Sequence, residues 1–426
     1  MTFLGLTDEQ LSACVGPVVP APTRQAGPFT PGSGETGPST TRARFARGVM
    51  TALGEPGDTD AGAIVGAIGP VRALRAIVEG WEAPRVLDLI RENDPAMADG
   101  MQGRLAKALE RWRPRASQSA AVRIFESAGH LRAVLVTPED ACWPHAVDDL
   151  GDGAPHALWV RGDVGLLGSL GRSVALVGAR AATGYGEHVA MEAASGLADR
   201  GFLTVSGGAY GIDGAVHRAT LASDAATVAF LAGGVDRLYP AGHTELLRRV
   251  AERGLLIAEL PCGSSPTKWR FLMRNRLIAA ASTATVVVEA GRRSGSLNTA
   301  GHAATIGRPL GAVPGPVTSP ASSGCHRLIR EYGAECVTSA EEIAELAGFA
   351  GEAPSADGAE TTSGRDASDG PEAIRVIDAL SARKPRSVGE LSIVTGMSTR
   401  DVIATLGALD LDGRARHRDG LWLKSP

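Results

Sequence analysis

A strand, a glycine turn and a helix follow one another between Arg172 and Gly186, and this unit constrains the fold of the chain more than any other segment. Four apolar residues, Val174–Val177, predict a buried parallel strand that ends at Gly178. Such a turn directs free backbone N–H groups and the positive end of a helix dipole towards one place, so it favours an anion such as a phosphate. The phosphate can belong to a nucleotide or to a nucleic-acid strand.

The turn lacks the glycine pattern of dinucleotide-binding proteins. Their G-x-G-x-x-G motif has glycine where this chain has Arg180, whose side chain fills the space that a pyrophosphate needs. We therefore expect no nicotinamide cofactor, and the sequence indicates no other cofactor. Arg180 instead offers a planar cation for bidentate phosphate contacts or for stacking on a base. The alternative is an ordinary Rossmann-type turn in which Arg180 pairs with an acid.

The balance of charges excludes a protein that binds nucleic acid through its overall charge. The formal net charge of the 426 residues is −4, which leaves only local basic patches for such binding. The five cysteines are scattered without a C-x-x-C pair, so the sequence indicates no disulfide framework and no zinc site, and it fits a reducing, cytoplasmic setting. No apolar run reaches the ~18 residues of a membrane span, and no signal-peptide pattern is present.

A chain of this length predicts more than one domain. Composition and hydrophobic periodicity divide it into five segments. These are a disordered extension at 1–40, a small helical domain at 41–115, a Rossmann-like α/β domain at 116–345, a flexible linker at 346–371 and a winged-helix domain at 372–426. The last assignment depends on three helical patterns followed by a strand pair that turns at Asp419-Gly420.

The α/β segment alternates buried apolar runs with amphipathic helices. The predicted strands lie near Ala133–Val136, Leu158–Arg161, Val174–Val177, Leu203–Ser206, Thr227–Leu231, Leu255–Glu259, Ala284–Val288 and Pro309–Val313. Helices between such strands imply a parallel sheet that is covered on both faces, with ligands at the carboxyl ends of the strands. We expect the functional surface to be assembled from the loops at those ends.

Two of these loops predict further anion contacts. Ser206 ends one strand and Gly207 follows it; the glycine lets the backbone approach a ligand, and the serine can bind a phosphate. In the other loop, Ser294, Gly295 and Ser296 can form an anion nest with the amides of the helix that follows.

Three acids are expected to support the site. Asp236 would be fixed near the rim by neighbouring glycines, and Glu289, at the end of a strand, would orient an arginine. Asp213 precedes His217 by one helical turn. The two could form an acid–base pair, but we favour an aspartate that caps the helix and orients the histidine.

The strongest indication of nucleic acid lies between Pro266 and Arg276. Cations there alternate with aromatic residues, in the order Lys268, Trp269, Arg270, Phe271, Arg274 and Arg276. This combination offers phosphate neutralisation and base stacking in one short stretch. The alternative is a basic, solvated helix face with buried aromatic residues.

The winged helix leaves three roles open. Its helix in the recognition position offers only Arg400 beside several acids. Contact with DNA, contact with a protein and a structural role are all compatible with this composition.

Taken together and in order, these loops resemble the DprA/Smf family, the DNA processing protein A of bacterial recombination. The matching segments are Val177–Arg180 with Tyr185-Gly186, Ser206–Asp213, Gly234–Asp236 with Tyr239-Pro240, Phe271 with Arg274–Arg276, Glu289–Gly291 with Ser294–Ser296, and Pro314-Gly315. The helical, SAM-like start and the winged-helix end also resemble actinobacterial members. The chain departs from the family pattern at His243, Leu272-Met273 and Asn298.

The resemblance implies a non-enzymatic protein with an extended Rossmann-like core that binds and protects single-stranded DNA. It also implies a homodimer or higher oligomer that helps to load RecA in transformation or related recombination. By position, Gly178 and Arg180 would hold the strand, Lys268 would meet a phosphate and Phe271 would stack on a base. The pocket would be completed by Arg274, Asn275 and Arg276.

Two other functions remain as alternatives. The nucleoside-monophosphate phosphoribohydrolases carry P-G-G-x-G-T-x-x-E, whose glutamate is catalytic. Laid on Gly291–Thr299, this chain has Asn298 or Thr299 in place of that acid, so cleavage of an N-glycosidic bond would lack its general acid/base. The second alternative is an adaptor that binds only proteins.

Overall fold

A nine-stranded sheet organises the larger of the two units into which the chain divides, Met1–Ser355 and Ala356–Pro426. The computed structural model describes residues 3–21, 38–349, 373, 376–377, 379–381, 384–395, 397–411, 413–418 and 421–425. The predicted linker at 346–371 lies outside the described residues except at its start. There Leu346 ends a helix and the ring of Phe349 lies 5.2 Å from that of Phe202, so the first residues of the predicted linker belong to the folded unit.

The strands of the sheet are β1 Val134–Val136, β2 Leu158–Gly162, β3 Ser173–Gly178, β4 Leu203–Ser206, β5 Thr227–Leu231, β6 Leu255–Ala258, β7 Ala284–Glu289, β8 Leu310–Ala312 and β9 Glu335–Cys336. Their order is β1-β2-β6-β5-β4-β3-β7-β8-β9. The eight predicted strands are all present within one residue of their expected bounds, and β9 was not predicted. The parallel sheet is confirmed for β3 to β9, whereas β2 runs antiparallel to both of its neighbours.

The α-helices of this unit are α1 Asp8–Val15, α2 Pro38–Leu53, α3 Thr59–Ile68, α4 Pro70–Val78, α5 Ala83–Asn93, α6 Pro95–Met101, α7 Leu105–Trp112, α8 Gln118–His130, α9 Gly184–Asp199, α10 Ile212–Ala222, α11 Thr244–Arg253, α12 Lys268–Ala281, α13 Ser296–Thr305, α14 Ser323–Glu331 and α15 Ala340–Leu346. Several begin at a hydroxyl or carboxylate cap, for example Thr183 before α9 and Thr267 before α12. Such a side chain accepts an N–H that the first helical turn leaves unpaired.

Alternate residues of the central strands enter cores on opposite faces of the sheet. In β3, Val174 and Leu176 pack with α9, α10 and α15, whereas Ala175 and Val177 pack with α12, α13 and α14. This is the period of two that a pleated strand imposes on its side chains. The sheet is therefore covered on both faces, as predicted.

The N-terminal helices share a third core with the first strands of the sheet. This core joins residues of α1 to α8 to Trp159 of β2 and Leu256 of β6. The indole nitrogen of Trp159 donates to Thr51 Oγ1 at 3.0 Å inside it. The predicted helical segment at 41–115 is thus present as α2 to α7, but α1 and α8 extend it and its core continues into the sheet.

Residues 3–21 do not form the disordered extension that was predicted for 1–40. Leu11 and Val18 have no exposed surface, and Asp8 accepts hydrogen bonds from Arg42 on α2, the shortest at 2.7 Å. The prediction is wrong here because α1 supplies a few apolar residues to a core that distant helices build. A short segment rich in small residues gives no local signal of such long-range packing. Residues 22–37 lie outside the described part of the chain.

The smaller unit contains α16 Val388–Thr395, α17 Thr399–Leu411 and the antiparallel strands β10 Ala415–Arg418 and β11 Leu421–Lys424. The described residues 373, 376, 377 and 379 are helical. Buried residues from these parts, including Leu391, Val402 and Leu406, form its core. The winged-helix order is as predicted, whereas the Asp419-Gly420 turn and the side chain of Arg400 lie outside what the structure describes.

Membrane spans, metal sites and disulfides do not contribute to the fold of the described residues. No single helix there is both long and apolar enough to cross a membrane, and α3 with α4 passes such a test only as a pair bent by 116°. No group of three or more metal-ligating side chains is present in the same part of the chain. All five cysteines are free thiols.

We predict that Leu11→Ala lowers the free energy of unfolding by about 2–5 kcal/mol, because it opens a cavity in the shared core. Denaturant unfolding followed by circular dichroism measures this difference. The control is Ser12→Ala, which changes an exposed residue of the same helix. If residues 3–21 were disordered, the two variants would unfold with equal free energies.

Candidate functional site

The chain reverses its direction of progress across the sheet at β3. From β3 it moves outward through β4, β5 and β6, and it then returns to place β7 on the other side of β3. In such sheets the loops on either side of the reversal separate and leave a crevice at the carboxyl ends of the strands. A cavity of about 780 Å³ lies there, and we call it the cleft. It is lined by the end of β3 and the turn after it (177–181), by residue 209 after β4 and residue 213 at the start of α10, and by the loops after β5 (239), β6 (266–268) and β7 (291–296), together with α12.

The turn after β3 is held by Glu289 at the end of β7. The Glu289 carboxylate accepts from the Thr183 backbone N–H at 2.8 Å and from its hydroxyl at 2.6 Å, while the Glu289 carbonyl accepts from the Ala179 N–H at 2.7 Å. A Cβ on Gly178 would meet Ile212 and lie 2.9 Å from the Glu289 carbonyl oxygen, so only glycine fits. Glu289 therefore fixes the glycine turn, and the prediction that it orients an arginine is wrong.

Arg180 projects from this turn into the cleft. Its side chain is exposed and forms no ion pair within the described part of the chain, so the alternative in which it pairs with an acid is not observed. Its guanidinium carbon lies 4.9 Å from the centroid of the Phe271 ring, as in a cation–π contact. The ring of Tyr239 lies 5.5 Å from the same ring. Phe271 is thus half-buried between a cation and an aromatic ring.

The basic and aromatic run is the N-terminal half of α12, and its helical period divides the run between two sides. Lys268, Phe271 and Asn275 line the cleft, whereas Trp269 lines a separate groove on the other side. Residues three and four apart share a helix face, which explains this division. The alternation of cations and aromatic residues in the sequence therefore does not correspond to one continuous surface.

Arg274 forms the floor of the cleft. Its Nη1 donates to the carbonyls of Gly207, at 2.7 Å, and Phe230, at 2.5 Å, and the residue is 6% exposed. Burial lowers the pKa of Arg274 to about 10, which leaves it protonated at neutral pH. A Cβ on Gly207 would lie 2.5 Å from the guanidinium, so this glycine makes room for the arginine. Arg274 and Gly207 thus shape the floor. The glycine at position 207 is explained by its contact with Arg274, without the phosphate contact that the sequence predicted.

Arg276 and Arg270 point away from the cleft. Arg276 is 4% exposed and its Nη2 lies 2.7 Å from both carboxylate oxygens of Glu259, so the prediction that it completes the pocket is wrong. Arg270 pairs with Glu55 at 2.9 Å. Asn275 does line the cleft, where its Nδ2 lies 3.3 Å from Asn298 Oδ1 and links α12 to α13.

Ser206 has no exposed surface, and its hydroxyl donates to the Leu176 carbonyl at 2.7 Å. The prediction that it binds a phosphate is therefore wrong, because its hydrogen atom is used between two strands. Ser206 is the last residue of β4, as expected, but its side chain is directed to the neighbouring strand β3 and does not line the cleft.

Asp213 and His217 are not paired with each other. Asp213 accepts from the Ala209 N–H at 3.2 Å, and burial raises its pKa against the opposing effect of the Arg274 charge. His217 Nδ1 lies 2.8 Å from Thr227 Oγ1, and burial lowers its pKa to about 3, so it is neutral at physiological pH. Both interpretations of this pair from sequence, acid–base chemistry and orientation of the histidine, are wrong.

The loop after β7 carries Ser294, Gly295 and Ser296 along the cleft. The hydroxyls of the two serines are 2.8 Å apart, and Gly295 is the residue before α13. Asp236 is not among the residues that line the cleft; its carboxylate accepts from the Gly263 N–H at 2.9 Å and joins the loops after β5 and β6. The support that was expected from Asp236 is thus a link between two loops.

Sequence reasoning did not assign Arg292 and Arg293, which line the cleft beside Ser294. Both are exposed, and neither forms an ion pair with any residue that the structure describes. With Arg180 and Lys268 they make four unpaired cations around the cleft, which we call the cleft cations. The available signal was their position, since two arginines directly after a glycine at the carboxyl end of a strand fall on the ligand-binding edge.

We predict that Arg274→Gln destabilises the fold by at least about 1–3 kcal/mol, because two buried carbonyls lose a donor. The variant also removes the charge that opposes the raised pKa of Asp213, so that pKa rises further. A carboxyl group with a raised folded-state pKa stabilises the fold below its unfolded-state pKa, and this contribution is lost as the pH rises.

The deficit in unfolding free energy should therefore grow as the pH rises above the raised folded-state pKa of Asp213 in the wild type, because only the variant still loses stability there. Denaturant unfolding at several pH values measures it. Adding Asp213→Asn should remove the pH-dependent part. A deficit that is equal at all pH values would contradict this account of Asp213.

Comparisons with known proteins match both units. A family model described as DNA recombination-mediator protein A matches residues 134–348, and a model of the DprA winged helix domain matches residues 360–420. The second match confirms the predicted winged helix. The first covers the sheet and the loops of the cleft.

Individual relatives and a solved structure agree with these models. A putative DNA processing protein DprA from Mycobacterium tuberculosis is 48% identical over 299 residues, which are 68% of this chain and 76% of the relative. DprA from Bacillus subtilis is 39% identical over 191 residues, 45% of this chain and 64% of that protein. The X-ray structure of DprA from Streptococcus pneumoniae superposes with a TM-score of 0.55 at 26% identity, covering 71% of this chain and 97% of that chain.

Proposed function

The chain belongs to the DNA recombination-mediator protein A family, and from this premise we propose that its cleft binds a single strand of DNA. A role in DNA processing and recombination follows from the family itself, as the resemblance of the loops predicted. The family consists of DNA-processing proteins rather than known enzymes, so the phosphoribohydrolase alternative is set aside.

The observation that carries the proposal is the position of Phe271 among the cleft cations. Arg180 contacts its ring, and Lys268, Arg292 and Arg293 line the same cavity. Proteins that bind single strands without base preference combine cations that follow the phosphates with aromatic rings on which bases stack. A ring inside a cleft can stack only on a base whose face is free, which favours a single strand over a duplex.

Backbone N–H groups at this edge of the sheet that do not already donate to Glu289 or within the loop after β7 can also hold phosphates. The Gly178 turn precedes α9, and Ser294, Gly295 and Ser296 precede or begin α13. N–H groups and dipoles at helix starts favour anions. We propose that both turns bind phosphates of the same strand, and that Asn275 contacts a nucleotide between them.

Other parts of the proposal depend on family membership alone. They are protection of incoming single strands in the cytoplasm, a homodimer or higher oligomer on DNA, and loading of RecA during transformation or related recombination.

We predict that Arg180→Ala weakens binding to oligo-dT and makes it less dependent on salt. The logarithm of the binding constant for single strands falls linearly with the logarithm of the salt concentration, with a slope of about −0.7 per phosphate neutralised. If Arg180 neutralises one phosphate, the slope of the variant should be less negative by about 0.7. Fluorescence anisotropy at several salt concentrations measures both effects.

The control for this titration is Arg248→Ala, which removes an exposed arginine of α11 that pairs with Glu245 outside the cleft. The proposal expects the control to bind as the wild type does. A wild-type protein that does not bind oligo-dT, or binds it independently of salt, would refute DNA binding at the cleft.

We predict that the protein accelerates the assembly of RecA on single strands, and that Arg180→Ala reduces this acceleration because less DNA is held. Assembly can be followed by the ATP hydrolysis of RecA in a mixture of the three components. Equal rates with and without the wild-type protein would refute RecA loading, without any bearing on the DNA titration.

A further inference from the structure

A second groove lies on the other side of α12 from the cleft. It has a volume of about 380 Å³ and lies within the larger unit, between the α2–α3 connection, the end of α7 and the start of α12. Residues 53–58, Arg111, Trp112, Arg115, Trp269 and Met273 line it. We call it the tryptophan groove, because Trp269 is its most exposed aromatic residue.

Trp269 is placed unusually for an indole. It is 56% exposed, whereas Trp112, Trp143 and Trp159 are each no more than 3% exposed. Its position in the first turn of α12 puts it beside Met273, one turn later, and away from Phe271, which faces the cleft. A large ring that the fold holds at the edge of a groove, with one side in solvent, is available for stacking.

The groove presents cations to solvent and keeps its acids further inside. Arg111 and Arg115 have side chains that are 53% and 48% exposed, and their acidic partners Asp58 and Glu55 are 14% and 36% exposed. Arg111 lies 3.2 Å from Asp58, and Arg115 lies 3.2 Å from Glu55. The acids hold the guanidinium groups at the rim, and the accessible charge at that rim is predominantly positive.

We propose that the tryptophan groove is a second nucleotide subsite for the strand that binds in the cleft. A base would stack on Trp269, and the phosphates beside it would lie near Arg111 and Arg115. This inference rests on the proposed function of the cleft and extends it around α12. The N-terminal helices would then contact DNA through the α7 end and the α2–α3 connection.

The first turn of α12 lies between the cleft and the tryptophan groove and contributes residues to both. Lys268 lies there, exposed and without an ion pair among the described residues, and it also lines the cleft. Phe271 and Trp269 are two residues apart on the same helix, so a strand can pass from one ring to the other across this turn. Its free backbone N–H groups and Lys268 favour a phosphate at the crossing point.

The chemistry of the rim favours nucleic acid over an apolar peptide as the occupant. A peptide helix would bury an apolar face, yet the outer edge of this groove consists of half-exposed guanidinium groups next to a ring. Rings and guanidinium groups together suit a base and its phosphate. The groove also continues a surface that is itself expected to bind DNA.

The test compares Trp269→Ala with Phe271→Ala over a series of oligo-dT lengths. We expect Phe271→Ala to weaken binding at every length, and Trp269→Ala to weaken only oligonucleotides long enough to leave the cleft. The expected loss is about 5- to 150-fold, as for removal of one stacking ring. Trp269→Phe keeps a smaller ring and should restore part of the affinity for the longer oligonucleotides.

The fluorescence of Trp269 gives a second measurement that does not depend on affinity. Stacking on a base should quench its emission when long oligonucleotides bind, and Trp269→Phe should lack this part of the quenching. Melting temperatures equal to that of the wild type are expected, because Trp269 is half in solvent.

The outcomes separate the subsite from the cleft. If Trp269→Ala binds every length as tightly as the wild type while Phe271→Ala binds weakly, the subsite is refuted and the cleft stands. Quenching of Trp269 by an apolar helical peptide, and not by DNA, would also refute it. If the wild type binds no oligonucleotide, the function proposed for the cleft fails first.

Discussion

The burial of one positive charge beneath the carboxyl edge of the sheet organises the whole site. Arg274 bonds to carbonyls at the ends of β4 and β5, and it lies near the buried carboxylate of Asp213 on α10. These contacts fix the rotation of α12 about its own axis. Since a helix has only one rotation that buries Arg274, the same contacts decide that Phe271 faces the cleft and that Trp269 does not. A guanidinium without these partners would be costly in such a place.

The second ion pair of α12 secures its other side. Arg276 and Glu259 pair at 2.7 Å between α12 and the end of β6, close to the N-terminal helices. Cations that look equivalent in the sequence thus have opposite roles. Those with buried partners hold the helix, and those without partners, such as Lys268, are free to meet a ligand. Burial and pairing, rather than residue type, separate the two groups.

The strands and the family could be predicted because their signals are local and repeated. Short apolar runs that end at turns predicted eight strands, all of which are present. The order of the loops indicated the family, which the family model confirms. The position of the cleft followed from a general property of parallel sheets. What could not be predicted is which side a residue faces at the end of a strand or along a helix. Ser206 and Arg276 failed for this reason, because each is buried and its polar group is used by a residue distant in the chain, Leu176 or Glu259.

Long-range packing accounts for the other failures. No residue near Leu11 in the sequence shows that it fills a core made by α2 and α8. No residue near Glu289 shows that its carboxylate will accept hydrogen bonds from Thr183. These contacts join residues that are far apart in the chain, so no short pattern reveals them. Arg292 and Arg293 were missed for a different reason, since charged pairs in a loop are common and only their place at the sheet edge distinguishes them.

The contact between Arg180 and Phe271 means that a side chain of the protein already covers the ring on which a base would stack. The guanidinium lies over a ring face that a base would use, at 4.9 Å from its centroid. A base that stacks there must displace it, so the energy gained is the difference between two interactions of similar size, about 1 kcal/mol or more each. If the strand binds as proposed, the base at Phe271 is exchanged for a side chain rather than added to an empty surface. Such an exchange keeps the bound strand replaceable and keeps the ring covered when no strand is present.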